Sequence, residues 1–154
     1  MKTSAVLCSL WLGVIGAPVV HAAAPMISAQ EGHALAVGTD GKVVAWGGDA
    51  VGQLGVGRTL YRTSPTRIAG LPPLTQASAG PTHVLGLDAN GQVWSWGDDS
   101  DGALGPRDQP VSSVPARVKG VSEMVQVSAG AHMSVALRRD GTVWRWGLNI
   151  IDYS

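Results

Sequence analysis

The residues of this 154-residue chain whose types could do chemistry are three spaced histidines, a run of aspartates, a glycine-rich stretch and one cysteine. His33, His83 and His132 are the side chains that could hold zinc, which needs its ligands to converge at about 2 Å. Asp98-Asp99-Ser100-Asp101-Gly102 has the look of a calcium loop, but the usual helix–loop–helix spacing would put the first ligand at Gly97. Gly97 has no side chain, and no Glu closes the site. Asp99 and Asp101 are close enough in sequence to act as acid and base on a glycoside, yet no apolar pocket marks either one. Gly52-Gln53-Leu54-Gly55-Val56-Gly57 lacks the strand–turn–helix setting of a phosphate cradle and reads as turn glycines. G-x-S-x-G, H-E-x-x-H and G-x-x-x-x-G-K-[ST] do not occur. The motifs therefore assign no catalytic residue, no cofactor and no metal.

Cys8, the single cysteine, lies in a leader-like segment. Lys2 precedes the apolar run Ala5–Val20, and small residues follow around His21–Ala24. That order is the charged, apolar and cleavage regions of a secretory signal peptide over residues 1–22, cut after Ala22. The run contains Pro18 and is shorter than the ~20 apolar residues a spanning helix needs. A secreted or periplasmic chain is expected, with no stable membrane insertion after cleavage. The residues before Cys8 lack the small side chain that precedes a lipidated cysteine. Loss of the leader leaves 132 residues with no thiol, and hence no disulfide.

Composition narrows the classes further. Eleven Lys+Arg balance eleven Asp+Glu, which argues against nucleic acid as partner. Arg58, Arg62 and Arg67 form a mild basic cluster that reads as a solvated rim. Hydrophobic residues at 45% allow a core, while 21 Gly and 9 Pro disfavour long helices. Six Trp stand against no Phe, and their placement explains the imbalance.

Trp46-Gly47, Trp96-Gly97 and Trp146-Gly147 recur every fifty residues, and so do Asp40-Gly41, Asn90-Gly91 and Asp140-Gly141. Ser28-Ala29, Ser78-Ala79 and Ser128-Ala129 keep the same period, and His33/His83, Leu54-Gly55/Leu104-Gly105 and Arg67/Arg117 keep it twice. Such a period signals a repeat architecture. Within each unit the local pattern is β. His83–Leu87 and Gln92–Trp96 flank an Asn-Gly turn, which tolerates positive φ, and Ala116–Val118 and Met124–Ser128 add further short strands. The fold class expected is all-β: a partial β-propeller of about two and a half blades of short antiparallel strands. Units fall near 27–76, 77–126 and 127–149 within a 23–149 array, and 150–154 form a non-repeat tail. Trp46, Trp96 and Trp146 then fill the space between blades in preference to stacking on sugars or bases. One histidine per blade leaves the three too far apart to share a metal. Bonding to a neighbouring backbone is the role expected for them.

The order Ala79-Gly80, His83, Leu85, Leu87, Asn90-Gly91, Val93, Trp96-Gly97, Gly102, Leu104-Gly105, Pro115, Arg117 resembles the repeat of the regulator of chromosome condensation family. Kelch repeats, sialidase Asp boxes and WD40 repeats fit less well. Gln30 stands where Gly80 and Gly130 sit, and Met133 replaces the histidine of His33 and His83. The resemblance implies a closed ring of seven blades, whereas 132 residues make about 2.6 units. Three accounts stay open: a truncated product of a longer gene, self-assembly to complete the ring, and a small open array.

The resemblance also implies function through blade-connecting loops that bind proteins. Known members include an exchange factor for a nuclear GTPase and a secreted inhibitor of β-lactamases. An exported, non-enzymatic chain that binds an unknown protein through Asp98, Asp99, Asp101 and Arg107 is the function expected. A secreted glycan hydrolase using Asp99 and Asp101, or guanine-nucleotide exchange, is the alternative.

Overall fold

The computed structural model describes residues 23–57, 60–107 and 113–148. The expected leader, the 150–154 tail and Arg58 lie outside them. Among the described residues the chain forms strands β1 (Met26–Gln30), β2 (His33–Val37), β3 (Val43–Gly47), β4 (Arg62–Arg67), β5 (Leu74–Ala79), β6 (His83–Asp88), β7 (Val93–Gly97), β8 (Ala116–Arg117), β9 (Met124–Ala129), β10 (Met133–Arg138) and β11 (Val143–Gly147). They pair antiparallel with their chain neighbours into three sheets, β1 to β4, β5 to β8, and β9 to β11. The all-β reading holds, and the sheets are partial propeller blades. The third has three strands where the first two have four.

Each hairpin between the second and third strands closes on the repeated Asp/Asn-Gly pair. Gly41, Gly91 and Gly141 take φ of 72°, 73° and 87°, which a Cβ would oppose. Gly41 and Gly91 also receive the chain entering the next blade. Leu74 N–H donates to the Gly41 carbonyl at 2.9 Å and Met124 N–H to the Gly91 carbonyl at 3.1 Å. Around Gly141 there is open space.

Burial follows from stacking the sheets side by side. In β2 the buried residues are His33, Leu35 and Val37, the set facing the second blade; in β10 they are Ser134 and Ala136, the opposite alternate set. The middle strand β6 is buried at all six positions because it has a neighbour on both faces. Among the described residues β11 has no such cover, and it is exposed along nearly its whole length. The core is accordingly two clusters, one per junction. Leu35, Val37, Val43, Leu54, Ala77, Val84 and Trp96 fill the first. Leu85, Leu87, Val93, Val118, Val127 and Ala136 fill the second.

Candidate functional site

The strand order brings two kinds of connection to opposite ends of the blades. One end carries the Asp/Asn-Gly turns and the chain segments that pass between blades. The other carries the described parts of the long connections that follow β3 and β7, residues 48–57, 60–61, 98–107 and 113–115, together with the short turns at 31–32, 80–82 and 130–132. The residues expected to bind a partner all lie at this second end.

The Asp98–Arg107 loop is built by its own aspartates. Asp98 accepts from Ser100 N–H at 3.0 Å and from the Ser100 hydroxyl at 2.8 Å, a local turn that fixes the loop's start. Asp98 N–H is anchored to the Thr82 carbonyl at 2.9 Å. Asp99 Oδ1 accepts from Leu104 N–H at 3.0 Å, as Asp49 Oδ1 does from Leu54 N–H at 2.9 Å in the preceding blade. Asp101 Oδ2 lies 2.7 Å from His132 Nδ1, so this loop is tied to the next blade. Arg107 is half-buried, and its Nη1 has no hydrogen-bond partner among the described residues. Burial pushes its guanidinium pKa down, and the nearby Asp99 charge works against that shift.

The two carboxylates considered for glycoside hydrolysis are therefore each committed elsewhere, Asp99 to a loop amide and Asp101 to an imidazole. Gly52, Gly55 and Gly57 all have positive φ and serve turns. Among the described residues no three His, Cys, Asp or Glu side chains converge as metal ligands. Arg62 and Arg67 stand at opposite ends of β4.

Trp96 and Trp146 pack between blades, each on the loop of the blade before it. Trp96 is fully buried and donates its indole N–H to the Gln53 carbonyl at 3.0 Å; Trp146 donates to the Ala103 carbonyl at 2.8 Å. A Cβ on Gly55 would meet the Trp96 ring at 2.9 Å, and one on Gly105 the Trp146 ring at 3.0 Å. The repeated Leu-Gly is thus the seat of the next blade's indole. Trp46 has no preceding loop among the described residues and lines a cavity of about 510 Å³ with His33, Glu31 and Tyr61.

The histidines depart from the backbone-bonding role expected of them. Ser134 gives its hydroxyl hydrogen to the Ala103 carbonyl at 2.7 Å, so His83 Nε2–H donates to Ser134 Oγ at 2.9 Å. The partner is a side chain of the next blade. Burial holds the His83 imidazole at about 4, below its ordinary 6.5, with Asp98 and Asp99 pulling it back up. His33 is buried with neither ring nitrogen paired, because the residue in the place of Ser134 is Val84. His132 makes the Asp101 contact instead.

Sequence reasoning did not find the contacts that join the blades along their first strands. Ser28 Oγ accepts from Ala79 N–H and Ser78 Oγ from Ala129 N–H, both at 3.0 Å. Gln76 holds the Val127 peptide from both sides, donating to its carbonyl and accepting from its N–H at 3.0 Å each. The fifty-residue recurrence of Ser-Ala was the available signal.

Comparison with known proteins decides the family. The model of the regulator of chromosome condensation repeat matches residues 40–87 and 90–137, and a second model of that repeat matches 74–103. The chain belongs to this repeat family. The matched units begin at the Asp/Asn-Gly turn, so each spans the last two strands of one blade and the first two of the next. Human WBSCR16 superposes with a TM-score of 0.73 at 26% identity, covering 81% of this chain and 33% of that one. Yeast RCC1 (Prp20), in its crystal structure bound to Kap60, gives a TM-score of 0.70 at 29% identity, with coverage of 79% and 31%. Prp20p from Saccharomyces cerevisiae, whose structure is described with binding to Gsp1p and histones, gives 0.69 at 29%, with 79% and 32%. The chain thus spans about a third of the length of these solved relatives. No curated protein sequence matches it.

Proposed function

We propose that this chain is an exported, non-enzymatic repeat protein that binds another protein through its loop end, with the Asp98–Arg107 loop at the centre of the contact. The observation that carries the reading is the preparation of that loop. Three aspartates fix its shape and its attachment to the next blade, while the Arg107 Nη1 is left with no partner among the described residues. A rigid loop loses little entropy on binding, and the half-buried guanidinium at its end suits a carboxylate-bearing surface. Placement outside the cytoplasm rests on the leader-like first 22 residues. Neutral charge and the prior commitments of Asp99 and Asp101 favour protein binding over nucleic-acid binding or glycan hydrolysis.

The test is chemical cross-linking and recovery of the tagged full chain from the envelope and medium of its source cells. The expected result is one protein recovered with the native chain and lost with Arg107→Glu or Asp98→Lys, while folding is retained. Recovery of nothing, or of the same protein with all three chains, would overturn the reading.

A further inference from the structure

The two junctions inside the chain share one design. Strand side chains of one blade reach the outward-facing peptides of the next blade's first strand, and three aliphatic residues pack beside them. In the second junction the donating blade supplies Gln76, Ser78, Leu85, Leu87 and Val93. One period later the same places hold Gln126, Ser128, Val135, Leu137 and Val143. Gln126 and Ser128 are exposed, and Val143 is 67% exposed where Val93 is 0%. Half of a third junction is therefore present and uncovered.

The complementary half is at the other end of the same chain. Ile27 pairs with Ala36 and Ala29 with Ala34, the register in which Val127 pairs with Ala136 and Ala129 with Ser134. The peptide groups of Ile27 and Ala29 consequently face away from β2, as those of Val127 and Ala129 face away from β10. Ile27 is 68% exposed, and β1 is an edge strand.

We propose that the uncovered face of β9, β10 and β11 docks onto β1 of a second copy of this chain. Gln126 takes the Ile27 peptide and Ser128 the Ala29 N–H, as Gln76 and Ser78 take Val127 and Ala129 within one copy. Both halves belong to one polypeptide, so the contact needs no third component. It is head-to-tail and builds a ring if the rotation closes and an open array if it does not. This surface is separate from the Asp98–Arg107 loop, and substitutions there leave the assembly intact.

The test is sedimentation velocity on the purified full chain over a concentration series, with two variants that each spoil one half. Ala29→Pro removes an N–H that β2 does not use, and Val143→Arg puts a charge on the aliphatic face. The native chain is expected to associate more as concentration rises, and each variant alone to associate at least tenfold more weakly. Mixing the two variants is expected to restore pairing, since each keeps one intact half, and to stop at two chains. A native chain that stays monomeric at every concentration would overturn the proposal. So would variants that associate as the native chain does, or a mixture no better than its components.

Discussion

The two inter-blade junctions have the same backbone and different chemistry. In the first, Met26 Sδ accepts from Ala77 N–H at 3.3 Å, Val84 fills its site, and His33 is buried unpaired. In the second, Gln76 makes two hydrogen bonds to Val127, and His83, Ser134, the Ala103 carbonyl and Trp146 form one connected network. Both are filled by aliphatic packing, the first around Trp96, and the second adds these polar contacts around a less buried Trp146. The serine contacts are the same in both. A repeat can therefore keep its geometry on the serine contact and the Trp–loop seat while the rest of the junction varies.

The indoles give the largest contrast. Trp96→Ala is expected to cost about 3–5 kcal/mol, because it empties a fully buried site and strips the Gln53 carbonyl of its donor. Trp146→Ala is expected to cost less and Trp46→Ala least, in urea titrations followed by circular dichroism. Equal losses at all three would break the comparison.

The period of fifty made the Trp and Gly positions legible in all three units and the His position in two, since each must suit the same local geometry where it recurs. The Ser-Ala recurrence was visible as well, but its use was not. A side chain that bonds a peptide group imposes a residue type on only one of the two blades. The histidine partner was hidden for a related reason: Ser134 and Val84 occupy equivalent places and answer the imidazole differently. The way matched repeats straddle two blades likewise requires knowing which strands pair.

Turning the second junction into the first is the next test. Ser134→Val leaves the His83 Nε2–H without an acceptor in a buried site and is expected to cost about 1–3 kcal/mol. Its reciprocal, Val84→Ser, is expected to cost less than an unpaired serine would, since His33 gains a partner. Denaturant midpoints for the two variants check the pair.

Acid separates the junctions by the state of His83. Its folded pKa of about 4 lies below the ordinary 6.5, so the unfolded chain binds the proton first. The stability held by neutral His83 is whole above pH 6.5 and is lost as pH falls towards 4. His83→Gln is expected to flatten that decline without abolishing it, because burial lowers the His33 pKa in the same direction. An unchanged pH slope in urea midpoints would count against the buried-imidazole account. The smallest effects belong to the shared contact: Ser28→Ala and Ser78→Ala are each expected to cost about 0.5–1.5 kcal/mol, and nearly equally.

Amide hydrogen exchange tests most directly the claim that side chains of one blade bind the first-strand peptides of the next. Ala79, Val127 and Ala129 N–H are expected to be protected in the native chain, although each bonds to a side chain and not to the backbone of a neighbouring strand. In Gln76→Ala, Val127 should lose its protection while Ala129 keeps it. Val127 and Ala129 amides that exchange at the free rate in the native chain would contradict the account.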